Sequence, residues 1–189
     1  RKTLGDRLWV QASYVYSSLR GNYDGGVNQD RLSTQPGFSA DFDLPIYWYN
    51  AYGRLYLDRP HHFRLDGYWA TPLGLSVGVQ AFVESGAPLS RTAFVCEGCN
   101  TAYLVPRGYA GRLPTQADGN LTLGYPVVIG PTTVTLLAYV YNVLNRQTPT
   151  GKDTDWTVIA NTGYDVLDPN QPANNQNYGK ITERESPRL

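Results

Sequence analysis

Leu75-Ser76-Val77-Gly78-Val79-Gln80-Ala81-Phe82-Val83 alternates its side chains with a period of two. Leu75, Val77, Val79, Ala81 and Val83 fall on one face, and Ser76, Gly78 and Gln80 fall on the other. A period of two predicts a strand whose faces meet two different environments.

The same rhythm returns on both sides of this stretch. From about Arg7 to Arg20, Leu8, Val10, Ala12, Tyr14 and Tyr16 share a face against Gln11, Ser13 and Ser17. From about Tyr52 to Ala70, Phe63, Leu65, Gly67 and Trp69 alternate with Arg64, Asp66 and Tyr68. From Asp118 to Pro126, Leu121, Leu123 and Tyr125 alternate with Asn120, Thr122 and Gly124. A fifth segment begins at Thr132 and ends near Asn142; Val134, Leu136, Ala138 and Val140 oppose Leu137, Tyr139 and Tyr141. Both of its faces are apolar, and the Tyr face is expected to point outward.

The connections sort by length. Thr71-Pro72-Leu73-Gly74 and the stretch from Val127 to Pro131 are short and turn-like. The stretches from Gly21 to Asn50, Ser85 to Ala117 and Asn145 to Leu189 are long, polar and rich in Gly, Pro, Asn and Asp. Short and long connections alternate, so the short turns gather at one end of a sheet and the long loops at the other. Strands of this length, joined in this way, predict an all-β fold: an antiparallel transmembrane β-barrel segment with short periplasmic turns and long extracellular loops. Tyr14 and Tyr16 are then expected near the outer boundary, and Trp69 and Tyr125 near the inner one. Arg64 and Asp66 are expected on the wet face, because Arg exposed to lipid at the midplane costs about 2–4 kcal/mol.

The composition is compatible with this reading. The chain has 189 residues, 16 basic and 16 acidic side chains and a formal net charge of zero. With no basic stripe or reader motif, nucleic acid is not an expected partner. No apolar run reaches the ~18 residues of a spanning helix, a test that β-strands evade. Of 24 aromatics, 15 are Tyr, whose ring and hydroxyl suit either a membrane boundary or a sugar-binding surface. The chain holds no Met and opens Arg1-Lys2-Thr3, which predicts a processed or partial polypeptide.

Four strings carry a resemblance. Leu57-Asp58-Arg59-Pro60-His61 leads into a strand and Ser85-Gly86-Ala87-Pro88 follows the next one. Pro106-Arg107-Gly108 lies in the loop after it, and Asn142-Val143-Leu144-Asn145-Arg146-Gln147 ends the fifth segment. In this order and spacing, from about Arg7 to Leu189, they resemble the C-terminal part of TonB-dependent outer-membrane receptors of the Oar-like group. The resemblance implies a barrel of about 22 strands, filled by an N-terminal plug and energised by TonB for uptake of a bulky nutrient. Residues 1–189 would then form part of that barrel, about five to six strands, with the plug and remaining strands outside this chain. Five or six strands cannot close a barrel or tolerate an open edge in lipid. The implied partners are outer-membrane lipid, the rest of the barrel and its plug, TonB through the absent N-terminal part, and an unknown extracellular ligand. The implied location is the bacterial cell outer membrane. Two alternatives stand beside it: a secreted β-sandwich carbohydrate-binding module, and a surface adhesin or assembly component on the same barrel.

No catalytic motif appears: there is no G-x-S-x-G elbow, H-E-x-x-H pair or phosphate loop. No enzyme activity, cofactor or metal site is expected. His61-His62 beside Asp58, the pair Asp41 and Asp43, and the pair Asp153 and Asp155 are read as strand-boundary or solvated loop residues. Glu84 and Asp66 give no sign of pairing as glycosidase carboxylates do. Cys96 and Cys99 in Cys-Glu-Gly-Cys lack further ligands at zinc spacing and lack a following helix, so a small disulfide loop is expected. Tyr47, Trp48, Tyr49 and Tyr52 form an aromatic cluster in the first long loop. They are candidates for ligand-facing rings, weighed against a girdle or a small core of the loop itself.

Overall fold

A computed structural model describes residues 2–25, 30, 42–95, 100–161 and 175–185. The fold is all-β apart from a single turn of helix. In chain order it contains β1 (Lys2–Leu4), β2 (Leu8–Tyr16), β3 (Arg20–Gly21), α1 (Pro45–Trp48), β4 (Gly53–Arg54), β5 (His61–Ala70) and β6 (Ser76–Glu84). There follow β7 (Thr92–Val95), β8 (Asn100–Tyr103), β9 (Gln116–Ile129), β10 (Thr132–Val140), β11 (Pro149–Lys152), β12 (Asp155–Asn161) and β13 (Ile181–Arg184). No described helix is long and apolar enough to cross a membrane.

The five alternating segments become β2, β5, β6, β9 and β10. With β1 they form a six-stranded sheet in the order β1-β2-β5-β6-β9-β10. Every neighbouring pair is antiparallel. Among the described residues the sheet is open, edged by β1 and β10. β1 was not anticipated: Lys2–Leu4 is three residues long, too short to show a period, and pairs with β2 across a turn at residues 5–7. The turns lie where expected, at residues 71–75, where Gly74 takes φ +83°, and at Gly130-Pro131. Gly130 takes φ +59° at the first position of that two-residue hairpin, which suits a type II′ turn. β9 therefore runs to Ile129, three residues past the expected Pro126. Pro126 is tolerated there because β6 begins at Ser76, opposite Gly124, leaving that flank of β9 without a partner strand.

Register decides the faces. Leu8, Trp69, Val77, Leu123 and Ala138 form one cross-strand row, and Ala12, Leu65, Ala81 and Gly119 another. Gln11, Asp66, Gln80 and Asn120 form a row on the opposite face. The outward Tyr face expected for the fifth segment is overturned. Ala138 pairs with Leu123 and Val140 with Leu121, so the aliphatic set joins the apolar face. Tyr139 pairs with Thr122 and lies on the polar face. The sequence of β10 alone cannot rank two apolar faces; only its partner's register can.

Among the described residues no second sheet covers the apolar face. Every extensive contact of β2, β5, β6, β9 and β10 is with a neighbour in the same sheet. Val79, Leu136, Val134 and Val140 are exposed. The buried core lies elsewhere, in the long loops at one end of the sheet. It comprises Ile46 and Tyr47 of α1, Ala93 and Val95 of β7, and Ala102 and Leu104 at β8, with Leu44 and Trp156 packed against it. Three segments read as loops thus build one folded layer. β12 pairs with β7 in parallel and β7 with β8 antiparallel; β11 pairs with β13 and β3 with β4.

Candidate functional site: a polar hollow and a folded loop layer

The polar face of the sheet is hollow. Trp9 on β2 and Tyr139 on β10 line one shallow depression of about 660 Å³, together with Arg64, Asp66, Gln80 and Asn120. Their strands stand four steps apart, ~19 Å in a flat sheet. A hollow shared across those strands fits a sheet that curls towards its polar face. Within it Arg64 donates to Asp66 from Nε at 2.9 Å and from Nη2 at 3.2 Å. Tyr139 and Tyr141 stack at 6.4 Å. The predicted placing of Arg64 and Asp66 on the polar face is what the register shows.

Aromatic side chains collect at both ends of the apolar face. Tyr14 and Tyr16 lie at the loop end of β2 beside Phe63, and Trp69 and Tyr125 lie at the turn end; all five are exposed. The row of Trp69 and the row of Phe63 are six residues apart, ~20 Å along the strand.

The strings singled out in the sequence fasten the loop layer to the sheet. Asp58 is buried and pairs with Arg112. It also accepts the Leu19 N–H at 2.7 Å. Arg112 donates further to the Asp58 and Gly86 carbonyls, at 2.7 and 3.1 Å. Arg59 reaches the Ser85 carbonyl at 3.3 Å and Glu84 at 3.4 Å. Gly86 must be glycine because a Cβ there would collide with the Leu113 backbone. Gly108 takes φ +72° and abuts the Arg54 carbonyl. Asn142 takes φ +49°, its N–H donates to Asn120 Oδ1 at 3.0 Å, and its own Oδ1 accepts the Arg146 N–H at 3.3 Å. That turn ends β10 and starts the third loop.

Arg107 is the centre of the layer. It is fully buried and pairs with Asp24 and with Asp30, the latter at 2.6 Å. Asp30 also accepts from Ser90 at 3.3 Å and from Tyr103 at 3.4 Å. The Arg107 backbone N–H donates to the Asn50 carbonyl, and its own carbonyl accepts the Arg54 N–H, both at 2.9 Å. Burial works against the Arg107 charge, but the charges of Tyr103, Asp30 and Asp24 around it outweigh burial and hold its pKa above the ordinary value. Arg91 packs over Trp156 at 4.3 Å and donates to the Tyr178 hydroxyl at 3.2 Å. Arg91, Arg107 and Arg112 belong to the second loop and hold, in turn, the third loop, the early part of the first loop and the stretch that leads into β5. Sequence reading quoted Arg107 within a string but missed Asp24 and Asp30, which lie 83 and 77 residues away.

The other candidates are distributed. Tyr47 is buried at 1 % exposure as part of the loop core, while Trp48, Tyr49 and Tyr52 stand 58, 55 and 67 % exposed on its surface. His61 bonds to the Tyr14 hydroxyl at 2.8 Å, and His62 to Glu84 at 3.3 Å. Asp153 Oδ1 accepts the Asp155 N–H and an Asn175 amide donor, both at 3.0 Å. Among the described residues no group of His, Cys, Asp or Glu converges as a metal site. Cys96, Cys99 and Asp41 lie outside the described residues.

The comparisons bear on this arrangement. Over 167 residues the chain is 30 % identical to a protein described as TonB-dependent transporter Oar, from Myxococcus xanthus. The match covers 83 % of this chain and 15 % of that protein, so the chain spans a small part of the relative's length. No family model matches the chain, and no solved structure matches it.

Proposed function

We propose that residues 1–189 form part of the wall and outer loops of a TonB-dependent transporter barrel in the bacterial outer membrane. The observation that carries this reading is the position of the core. A soluble sheet of this size buries its apolar face against a second layer. Among the described residues that face is bare, girdled by aromatics at both ends, and the packed residues lie in the loops beyond one end. A sheet facing lipid has that distribution. A carbohydrate-binding sandwich would need a second sheet on Val77, Val79 and Leu121. The curl towards the polar face supports closure with further strands around a wet interior, and the likeness to the Myxococcus transporter supports the transport role.

In this reading the apolar face meets outer-membrane lipid and the free edges of β1 and β10 pair with the rest of the barrel. The hollow faces a plug, and TonB acts through parts outside this chain. The exposed Trp48, Tyr49 and Tyr52 face the extracellular ligand, a bulky nutrient, and Cys96 and Cys99 form a small disulfide loop. The role is transport, not catalysis. The test compares Val79→Arg with Gln80→Arg in the full-length protein refolded into lipid vesicles. Val79→Arg should lose about 2–4 kcal/mol of folding free energy and Gln80→Arg close to none. Equal costs at the two neighbouring positions would remove the lipid-facing assignment.

A further inference from the structure

β3 and β4 bring two arginines face to face. Arg20 and Arg54 are Cα partners across this two-stranded ladder. The Leu55 N–H donates to the Leu19 carbonyl at 3.2 Å, while the Arg54 N–H turns away to the Arg107 carbonyl at 2.9 Å. Arg20 and Arg54 therefore form a non-hydrogen-bonded pair. In such pairs the Cα atoms stand about 4.5 Å apart and the opposed side chains are closest. Like charges directly opposite each other weaken a ladder.

Among the described residues neither guanidinium meets a carboxylate or donates a hydrogen bond. The acids around this ladder are already committed. Asp58 accepts the Leu19 N–H but pairs with Arg112, and Asp24 and Asp30 pair with Arg107. Instead, the Arg54 guanidinium lies over the Tyr109 ring, 4.4 Å from its centroid. Stacking occupies the face of a guanidinium and leaves its N–H edge free for an acceptor. Arg20 and Tyr109 are exposed and Arg54 is half-buried, so a solute can reach that edge. The backbone beneath is fixed, because a Cβ on Gly53 would collide with the Arg107 carbonyl.

Two positive charges are thus held side by side on a pinned ladder without a counter-ion. We infer that Arg20 and Arg54 together bind a phosphate monoester. A dianion balances both charges, and a tetrahedral oxyanion offers oxygens to two planar forks at once. The phosphate belongs either to a soluble molecule or to a lipid headgroup. The inference does not rest on the membrane reading, since both arginines and Tyr109 belong to the loop layer.

Isothermal titration of the full-length protein in a neutral detergent tests it with three probes. These are methyl phosphate, dihexanoyl phosphatidic acid, and methyl sulfate as a singly charged tetrahedral counterpart. At pH 8 a phosphate monoester carries two charges, since its second pKa is about 6. One or both phosphates should then bind, more weakly as NaCl rises, and methyl sulfate should bind far less. The tighter phosphate identifies the source. Arg20→Gln or Arg54→Gln should weaken that binding about tenfold. Arg20→Gln removes one of two like charges, so its thermal midpoint without phosphate should be no lower than that of the unsubstituted protein. Methyl sulfate binding as tightly as the phosphates, no binding of either phosphate, binding indifferent to both substitutions, or a lowered midpoint in Arg20→Gln would overturn the inference.

Discussion

Replacing Arg107 by Gln should open the loop layer while leaving the sheet intact. The substitution keeps some length and polarity but removes the charge that Asp24 and Asp30 share. Their side chains are 7 and 6 % exposed, so the substitution takes a shared counter-ion away from two buried carboxylates. Removing one partner of a buried pair costs about 3–5 kcal/mol. At 1.36 kcal/mol per tenfold, that is a rise of about 10²–10⁴ in the population of the opened layer. The backbone bonds around Arg107 report it directly. They are the Arg107 N–H to Asn50, the Arg54 N–H to Arg107 and the Gly108 N–H to Ser90 Oγ. Hydrogen exchange followed by mass spectrometry should show those amides exchanging at least tenfold faster, with the ladder between β5 and β6 unchanged. Exchange that rises equally in both places, or in neither, would refute the claim that the layer is held by this cluster and opens separately from the sheet.

Two other outcomes follow from the same geometry. Tyr47→Ala should cost about 3–5 kcal/mol of loop-layer stability, as for other large buried rings. Ala at Trp48, Tyr49 or Tyr52 should stay within about 0.5 kcal/mol in thermal unfolding and, if the proposed function holds, should instead weaken capture of an extracellular ligand. The raised pKa of Arg107 gives a signed pH dependence. A folded-state pKa above the unfolded one stabilises fully below the unfolded value, which for Arg lies far into the alkaline range, and is lost only as pH rises through the folded value. Trp fluorescence of the layer should therefore show no Arg107-linked transition between neutral pH and about pH 10; a transition within that window would contradict the assignment.

The sheet was legible because it repeats. Val77, Val79 and Ala81 alternate with Gly78 and Gln80 over enough residues for the period to show, and Gly130-Pro131 marks its turn. What failed was local ambiguity. β1 is shorter than a period can register, and β10 is apolar on both faces, so Tyr139 was turned the wrong way until Thr122 fixed it. The loop layer was illegible for another reason. Its strands are four residues or fewer apart from β12, and its core takes Ile46, Val95 and Trp156 from three separate stretches of chain. No window of sequence contains that core. The strings around Asp58, Gly86, Arg107 and Asn142 were visible as marks but not as contacts, because each finds its partner at long range. Tyr47 is buried while Trp48, its neighbour on α1, and Tyr49 and Tyr52 beyond the helix are exposed, and aromatic character alone does not tell them apart.

Asp58, Gly86, Arg112 and Asn142 cluster at the strand mouths, where the sheet gives way to the loops. What lies farther out is tied to the sheet through these few struts, while its own core and the Arg107 cluster hold it together. Such a scaffold lets the distal surface drift in sequence, and so acquire new specificities, without renegotiating how it is attached. Diversity at the tip and economy at the hinge become the same architectural decision.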